Sequence, residues 1–277
     1  MTDILSLPFI KGFCRMADDG WNMGWHERNG GNLSYRMKPE EIRSVKKYLN
    51  HDGFWISTGT ETPGLAGEFF LVTGSGQYFR NTSGAPEENI GIIELDKAGG
   101  AYRICRGLTK DGRPTSELPA HLKNHEVKKK RPGGAHRVIY HAHTPNVIAL
   151  TFVLPLNDEV FTRELWEMMP ECPIVFPGGV GVVPWMIPGS ADIAAATSEV
   201  MRRYDIAVWA HHGTICSGED FDSAFGLAHT VEKAAGILLK VLSVSPEKRQ
   251  TVTTGNLRDL AEALGLDLPE AFLYEKQ

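Results

Sequence analysis

Apolar residues recur at roughly helical spacing through residues 4–25, at Ile4, Leu5, Phe9, Phe13, Met16, Ala17 and Trp21. The NGGN stretch at 29–32 ends that element, and LSYRM at 33–37 reads as a strand. Residues 38–67 are polar and rich in Gly, Thr and Pro, which predicts a loop or weak strands. FFLVTGSGQYF at 69–79 reads as a strand halted by Gly-Ser-Gly. IGIIELD at 90–96 and AYRICRG at 101–107 predict paired strands with Gly99 and Gly100 in the turn. Beyond them the pattern gives a helix over 115–129, a strand over 137–143 and helices around 146–154 and 158–168. Short strands follow at 174–176 and 180–183, a helix over 191–204, and a strand over 206–210. A long amphipathic helix over 221–244 and a shorter one over 254–264 complete the pattern. There is no internal repeat and no linker-like tract. Strands and hairpins mixed with helices predict a mixed α/β fold. Its core is a central, largely antiparallel sheet covered by helices on both sides, in a single domain over 1–277.

Composition narrows the function. The chain has 277 residues, 42% hydrophobic and 23% charged, an ordinary globular profile. A net charge of −5 argues against a broad nucleic-acid-binding surface, and KKKR at 128–131 is read as a solvated loop. Cys14, Cys105, Cys172 and Cys216 form no C-x-x-C pair, so they are expected to be reduced, mostly buried thiols of a cytoplasmic protein. No window approaches the ~20 apolar residues a membrane span needs, and the first residues lack a basic stretch before an apolar core. The expected protein is soluble and not exported.

The histidines add chemistry. In RVIYHAHTPN, 137–146, His141 and His143 lie two apart on a strand and share a face. That suits two cis ligands on one metal ion, although two strand histidines bonded to backbone explain the pair equally well alone. A second apolar strand, IAVWAHHGT at 206–214, also runs into histidines. Together the two strands could bring three imidazoles to one end of a sheet, the donor set of an open catalytic zinc site. Strand parity does not say whether His211 or His212 points inward. His121 and His125 share a helix face with Glu117, which an ordinary surface helix accounts for. His26, His51, His136 and His229 lie outside any cluster. A cupin reading fails because no glutamate follows closely in TPNVIA, and an amidohydrolase barrel needs H-x-H near its start.

Three segments have the chemistry of an anion cradle. Gly74-Ser75-Gly76 follows a strand, Thr115-Ser116 stands at a helix start, and NGGN offers amides around a tight turn. Each is also a plain turn or cap by itself, and none matches a Walker or dinucleotide fingerprint. Glu117 beside Thr115-Ser116 is either a helix-stabilising acid or a proton-transfer group. Glu171, between Pro170 and Cys172, reads alone as a surface acid.

Taken in order, GWHERNGGNLSYR (24–36), FLVTGSGQYFRN (70–81), PTSELPAH (114–121), VIYHAHTPN (138–146), LWEMMPEC (165–172) and AHHGTICSG (210–218) resemble the class II sugar-phosphate aldolase family. That family includes aldolases and 4-epimerases acting on phosphorylated sugars. The resemblance covers most of the chain and is weaker at 38–67 and after 245. It implies one zinc ion per subunit on His141, His143 and His212, favouring His212 over His211. It implies that Asn29, Gly31, Asn32, Ser75, Gly76, Thr115 and Ser116 line the phosphate and ketone site. Glu117 would then transfer the proton, and Glu171 would reach a neighbouring subunit's site in a homotetramer. The implied reaction is metal-assisted cleavage of a ketose phosphate, with no lysine Schiff base.

Overall fold

Short β-branched and aromatic runs pair into a nine-stranded sheet in the computed structural model, which describes residues 4–131 and 133–275. The strands are β1 (Asn32–Arg36), β2 (Ile56–Ser57), β3 (Phe69–Thr73), β4 (Ile90–Leu95), β5 (Ala101–Gly107), β6 (Val138–Ala142), β7 (Gly181–Val183), β8 (Ile206–Trp209) and β9 (Gly213–Gly218). Their order is β2-β5-β4-β3-β1-β6-β9-β8-β7, antiparallel throughout except for the parallel β7–β8 edge. The helices are α1 (Pro8–Asn22), α2 (Pro39–Val45), α3 (Pro86–Asn89), α4 (Leu118–Lys130), α5 (Pro145–Leu150), α6 (Asp158–Trp166), α7 (Glu171–Val175), α8 (Ala191–Val200), α9 (Phe221–Val244) and α10 (Thr254–Leu264).

Alternation along the strands sends side chains to two cores. On one face Leu33, Tyr35, Val138 and Tyr140 pack against Phe9 and Phe13 of α1 and Ala224 and Val231 of α9. On the other, Phe70 and Val72 meet Leu118 and Leu122 of α4. Further along that face Ile139, Trp209 and Ile215 meet Ile193 of α8. The mixed α/β sheet with helices on both sides is therefore as expected. All four cysteines are free thiols, with Cys105, Cys172 and Cys216 buried. Among the described residues no helix is long and apolar enough to cross a membrane.

Four expectations need correction. Residues 174–176 are not a strand. Glu171–Val175 is a short helix closed by the Phe176 amide on the Cys172 carbonyl, and its β-branched Ile174 and Val175 point to solvent. Residues 38–67 hold α2, begun by Pro39 and by Glu41 accepting the Lys38 amide at 2.7 Å. Only Val45 of that helix is buried, so no apolar stripe announced it. The stretch after His212 is a complete central strand, β9, lying between β6 and β8. KKKR is not a solvated loop: it ends α4, and Lys128 is buried with its ammonium on the Tyr204 carbonyl and Asp205, each at 2.6 Å.

Candidate active site

The histidine cluster forms where β6 and the β8–β9 turn meet. His141 sits in β6 opposite Asn32 of β1, and His143 follows just past the strand's end. Ring centroids are 5.1 Å apart for His141 and His143, 4.8 Å for His141 and His212, and 5.0 Å for His143 and His212. One nitrogen from each lies within 4.8 Å of the others. The turn that delivers His212 is unusual: His211 takes a left-handed φ of 60° and Gly213 a φ of 155°. A Cβ on Gly213 would stand 2.3 Å from the Ala142 carbonyl oxygen, so only glycine lets the turn close onto β6. The His211 ring faces away from the cluster. Its amide donates to Thr151 Oγ1 at 3.1 Å and its Nδ1 lies 3.0 Å from the same oxygen. Strand parity could not choose between the two histidines because both sit in a turn.

The donor set fits a metal ion. His141 Nδ1–H donates to the Thr214 carbonyl at 2.9 Å, while its Nε2 is buried with no partner. His143 directs Nδ1 at Glu27 Oε1, 2.7 Å away, which leaves Nε2 available. His212 Nδ1 is likewise buried without a partner. Burial, helped by the neighbouring imidazoles, holds His141 well below the usual histidine range. Burial and His143 take His212 down to about 4. Neutral imidazoles with bare nitrogens are what a zinc-like ion binds. A second group, His51, Glu94 and Cys105, is differently occupied. Arg103 Nε donates to Glu94 at 2.8 Å, and burial and Glu94 push the Cys105 thiol up to about 12.

Glu117 stands at the N-cap of α4, just before the helix rather than inside its first turn. Its Oε2 lies 3.9 Å from His141 Nε2 and accepts from Asn32 Nδ2 at 2.9 Å. Burial raises its pKa, against the lowering effects of the Asn32 hydrogen bond and His143. A carboxyl held above the ordinary range beside the imidazoles is placed to transfer a proton.

The three candidate anion segments converge on this pocket. Asn29, Gly31 and Asn32 line one side, Ser75 and Gly76 another, and Thr115 and Ser116 a third, with Glu117 and the imidazoles at the base. The available donors differ from the simple expectation. The Ser75 amide is committed to the Arg113 carbonyl and the Thr115 amide to the Thr73 carbonyl. Left for an anion in these two segments are the amides of Gly76 and Ser116 and the hydroxyls of Ser75, Thr115 and Ser116. Gly31, at φ 74°, lies where a Cβ would meet the His26 ring at 2.3 Å. Glu171 is outside the pocket, exposed at the start of α7.

Several supporting residues escaped the sequence reading. Glu27 orients His143, and its place just before NGGN was the only clue. His26, read as bland, is buried between Phe79 and Tyr140. The Tyr140 hydroxyl donates to its Nε2 at 2.7 Å, and its Nδ1–H donates to the Gly30 carbonyl at 3.1 Å, which pins the NGGN turn. His121 and His125 are fully buried rather than on a surface helix, and both bond to Ser34 of β1.

The profile of the Class II Aldolase and Adducin N-terminal domain matches residues 11–239. A rhamnulose-1-phosphate aldolase of Mannheimia succiniciproducens is 45% identical over 266 residues, covering 96% of this chain and 97% of that protein. One of Klebsiella pneumoniae is 44% identical over 265 residues, covering 96% and 94%. The crystal structure of a sugar-phosphate aldolase from Thermotoga maritima superposes with a TM-score of 0.73 at 29% identity, over 87% of this chain and 97% of that one.

Proposed function

Since this chain belongs to the class II aldolase and adducin family, we propose that it is a zinc-dependent aldolase that cleaves L-rhamnulose 1-phosphate to dihydroxyacetone phosphate and L-lactaldehyde. The observation that carries the reading is the bare, buried His141 Nε2 beside Glu117, in a pocket floored by His143 and His212 and rimmed by anion-binding loops. The whole chain acts as one aldolase unit in the cytoplasm.

His141, His143 and His212 would hold the zinc, which when bound supplies a Lewis acid for the ketone and hydroxyl oxygens of the substrate. Cleavage breaks the C3–C4 bond and moves one proton, in net terms, from the C4 hydroxyl to C3. Glu117 gives the proton to C3 in cleavage and takes it back in condensation. Its raised pKa suits both directions. Asn29, Gly31, Asn32, Ser75, Gly76, Thr115 and Ser116 hold the phosphate and ketone end, which fixes C3 at one distance from Glu117. Glu171 extends from α7 into a neighbour's site within a homotetramer. Exposed Phe152, Trp185 and Ile187 supply apolar surface for such an assembly.

Glu117→Gln tests the role of the carboxyl. Cleavage should fall by about two to four orders of magnitude while bound zinc is retained. Unchanged turnover would contradict catalysis at Glu117, whereas a zinc-loaded wild type that binds but never cleaves the sugar phosphate would favour a sugar-phosphate-binding protein. A panel of L-rhamnulose 1-phosphate, L-fuculose 1-phosphate and L-ribulose 5-phosphate tests the substrate, with the first expected to have the highest kcat/KM.

A further inference from the structure

A line of buried polar groups runs from the Glu117 carboxyl into the α4 side of the sheet. Asn32 and Ser34 share a face of β1, two residues apart, and α4 covers them. Asn32 Nδ2 donates to Glu117 Oε2 at 2.9 Å, and Asn32 Oδ1 hydrogen-bonds His121 Nε2. His121 Nδ1 lies 2.6 Å from Ser34 Oγ, and Ser34 Oγ lies 2.8 Å from His125 Nε2. His125 Nδ1 ends the line, buried without a partner.

The proton order in this line follows from counting donors. An ionised Glu117 can only accept, so Asn32 must present its NH2 to the carboxylate and its oxygen to His121. His121 must then carry its hydrogen on Nε2, which leaves Nδ1 to accept. Ser34 donates to that Nδ1 and accepts from His125 Nε2–H. His125 Nδ1 is left as a bare nitrogen. The reverse order would turn the Asn32 oxygen onto the carboxylate and strand a buried N–H at His125. Burial of both rings keeps them neutral, as the order requires.

We propose that Ser34, His121 and His125 are positioning residues: their one-way hydrogen-bond line locks the Asn32 amide with its NH2 on Glu117 Oε2. The line commits one carboxyl oxygen as an acceptor and leaves Oε1 free, since it has no partner among the described residues. This rests on the role proposed above for Glu117 as the proton-transfer group. The three side chains touch neither substrate nor metal.

The test pairs two substitutions of similar size. His121→Gln keeps an N–H near the position of Nε2, and His121→Leu removes it. In the zinc-loaded enzyme, His121→Leu should lower kcat for L-rhamnulose 1-phosphate about tenfold, the worth of one oriented hydrogen bond. KM and zinc content should stay within about twofold. Exchange of dihydroxyacetone phosphate C–H with deuterium oxide should slow by the same factor. His121→Gln should restore both rates. Ser34→Ala gives a second route, with a smaller fall in kcat, should His121→Leu not fold. Nitrogen-15 spectra of the histidines read the line without turnover and should show His121 protonated on Nε2 and bare on Nδ1. Equal kcat losses in His121→Gln and His121→Leu, an unchanged Ser34→Ala, or His121 protonated on Nδ1 would overturn the proposal. A zinc-loaded wild type that leaves the sugar phosphate intact contradicts the function instead, and the nitrogen-15 result still decides the line.

Discussion

Two groups of histidines lie on the same face of the sheet and do opposite things with their nitrogens. In the cluster of His141, His143 and His212, protein partners bind one nitrogen of His141 and one of His143, and His141 Nε2 and His212 Nδ1 stay buried without a partner. Along α4, His121 and His125 turn their nitrogens toward protein partners and only His125 Nδ1 is left over. Burial disfavours the charged ring of His141 in the first group and of His121 and His125 in the second. The difference lies in where the hydrogen bonds end. An imidazole anchored through one nitrogen with the other aimed into a pocket is a ligand in waiting, whereas one bonded through both is a structural joint.

The sharpest way to break this comparison is to change neighbours within one turn. His212→Ala should lose bound metal and turnover, while His211→Ala, whose ring rests on Thr151, should retain both. Metal analysis after dialysis, with a cleavage assay, checks this. Equal loss in both would erase the distinction between the two rings.

A smaller effect is expected on α4 itself. Lys128→Met removes the donor of the buried Tyr204 carbonyl and one partner of Asp205, which keeps Arg131. Denaturant unfolding should show a loss of about 1–3 kcal/mol with kcat unchanged. A loss of turnover at full stability would place α4's last turn in the chemistry.

A third expected effect concerns acid. Burial takes both His26 and His121 down to about 3. Their unfolded values lie near 6.5, so between those limits the unfolded chain binds more protons. Stability is thus fully present above pH 6.5 and declines as pH falls toward 3. His26→Gln should flatten that decline by about 1.4 kcal/mol per pH unit, read from unfolding at several pH values. An unchanged slope would mean that His26 is not held neutral.

How much of this was legible in the chain depends on what each group faces. The His141–His143 pair was legible because strand alternation puts both on one face, and IAVWAHHG marked a second apolar strand running toward it. The NGGN and Gly-Ser-Gly turns at the pocket were legible through their glycines, but the Ser75 amide is already taken by Arg113, a long-range bond that no local pattern encodes. Glu171 was singled out only through resemblance, and in the described subunit it lies outside the pocket. The buried polar side of α4 was not legible. A helix whose inward face carries His121, Asn124, His125 and Lys128 has the same pattern as one facing water. What distinguishes them is Ser34 and Asp205, distant in sequence, which supply the partners. The strand β9 was hidden for a related reason: bounded by glycines, it is identified by its neighbours β6 and β8.

The account rests on metal held by bare imidazole nitrogens beside Glu117, and one measurement tests this most directly. Zinc content and cleavage of L-rhamnulose 1-phosphate are followed together through chelation and reconstitution. The expected result is one zinc per subunit, with cleavage lost on its removal and regained on its return. Full cleavage by the metal-free protein, or borohydride capture of substrate on a lysine, would contradict it.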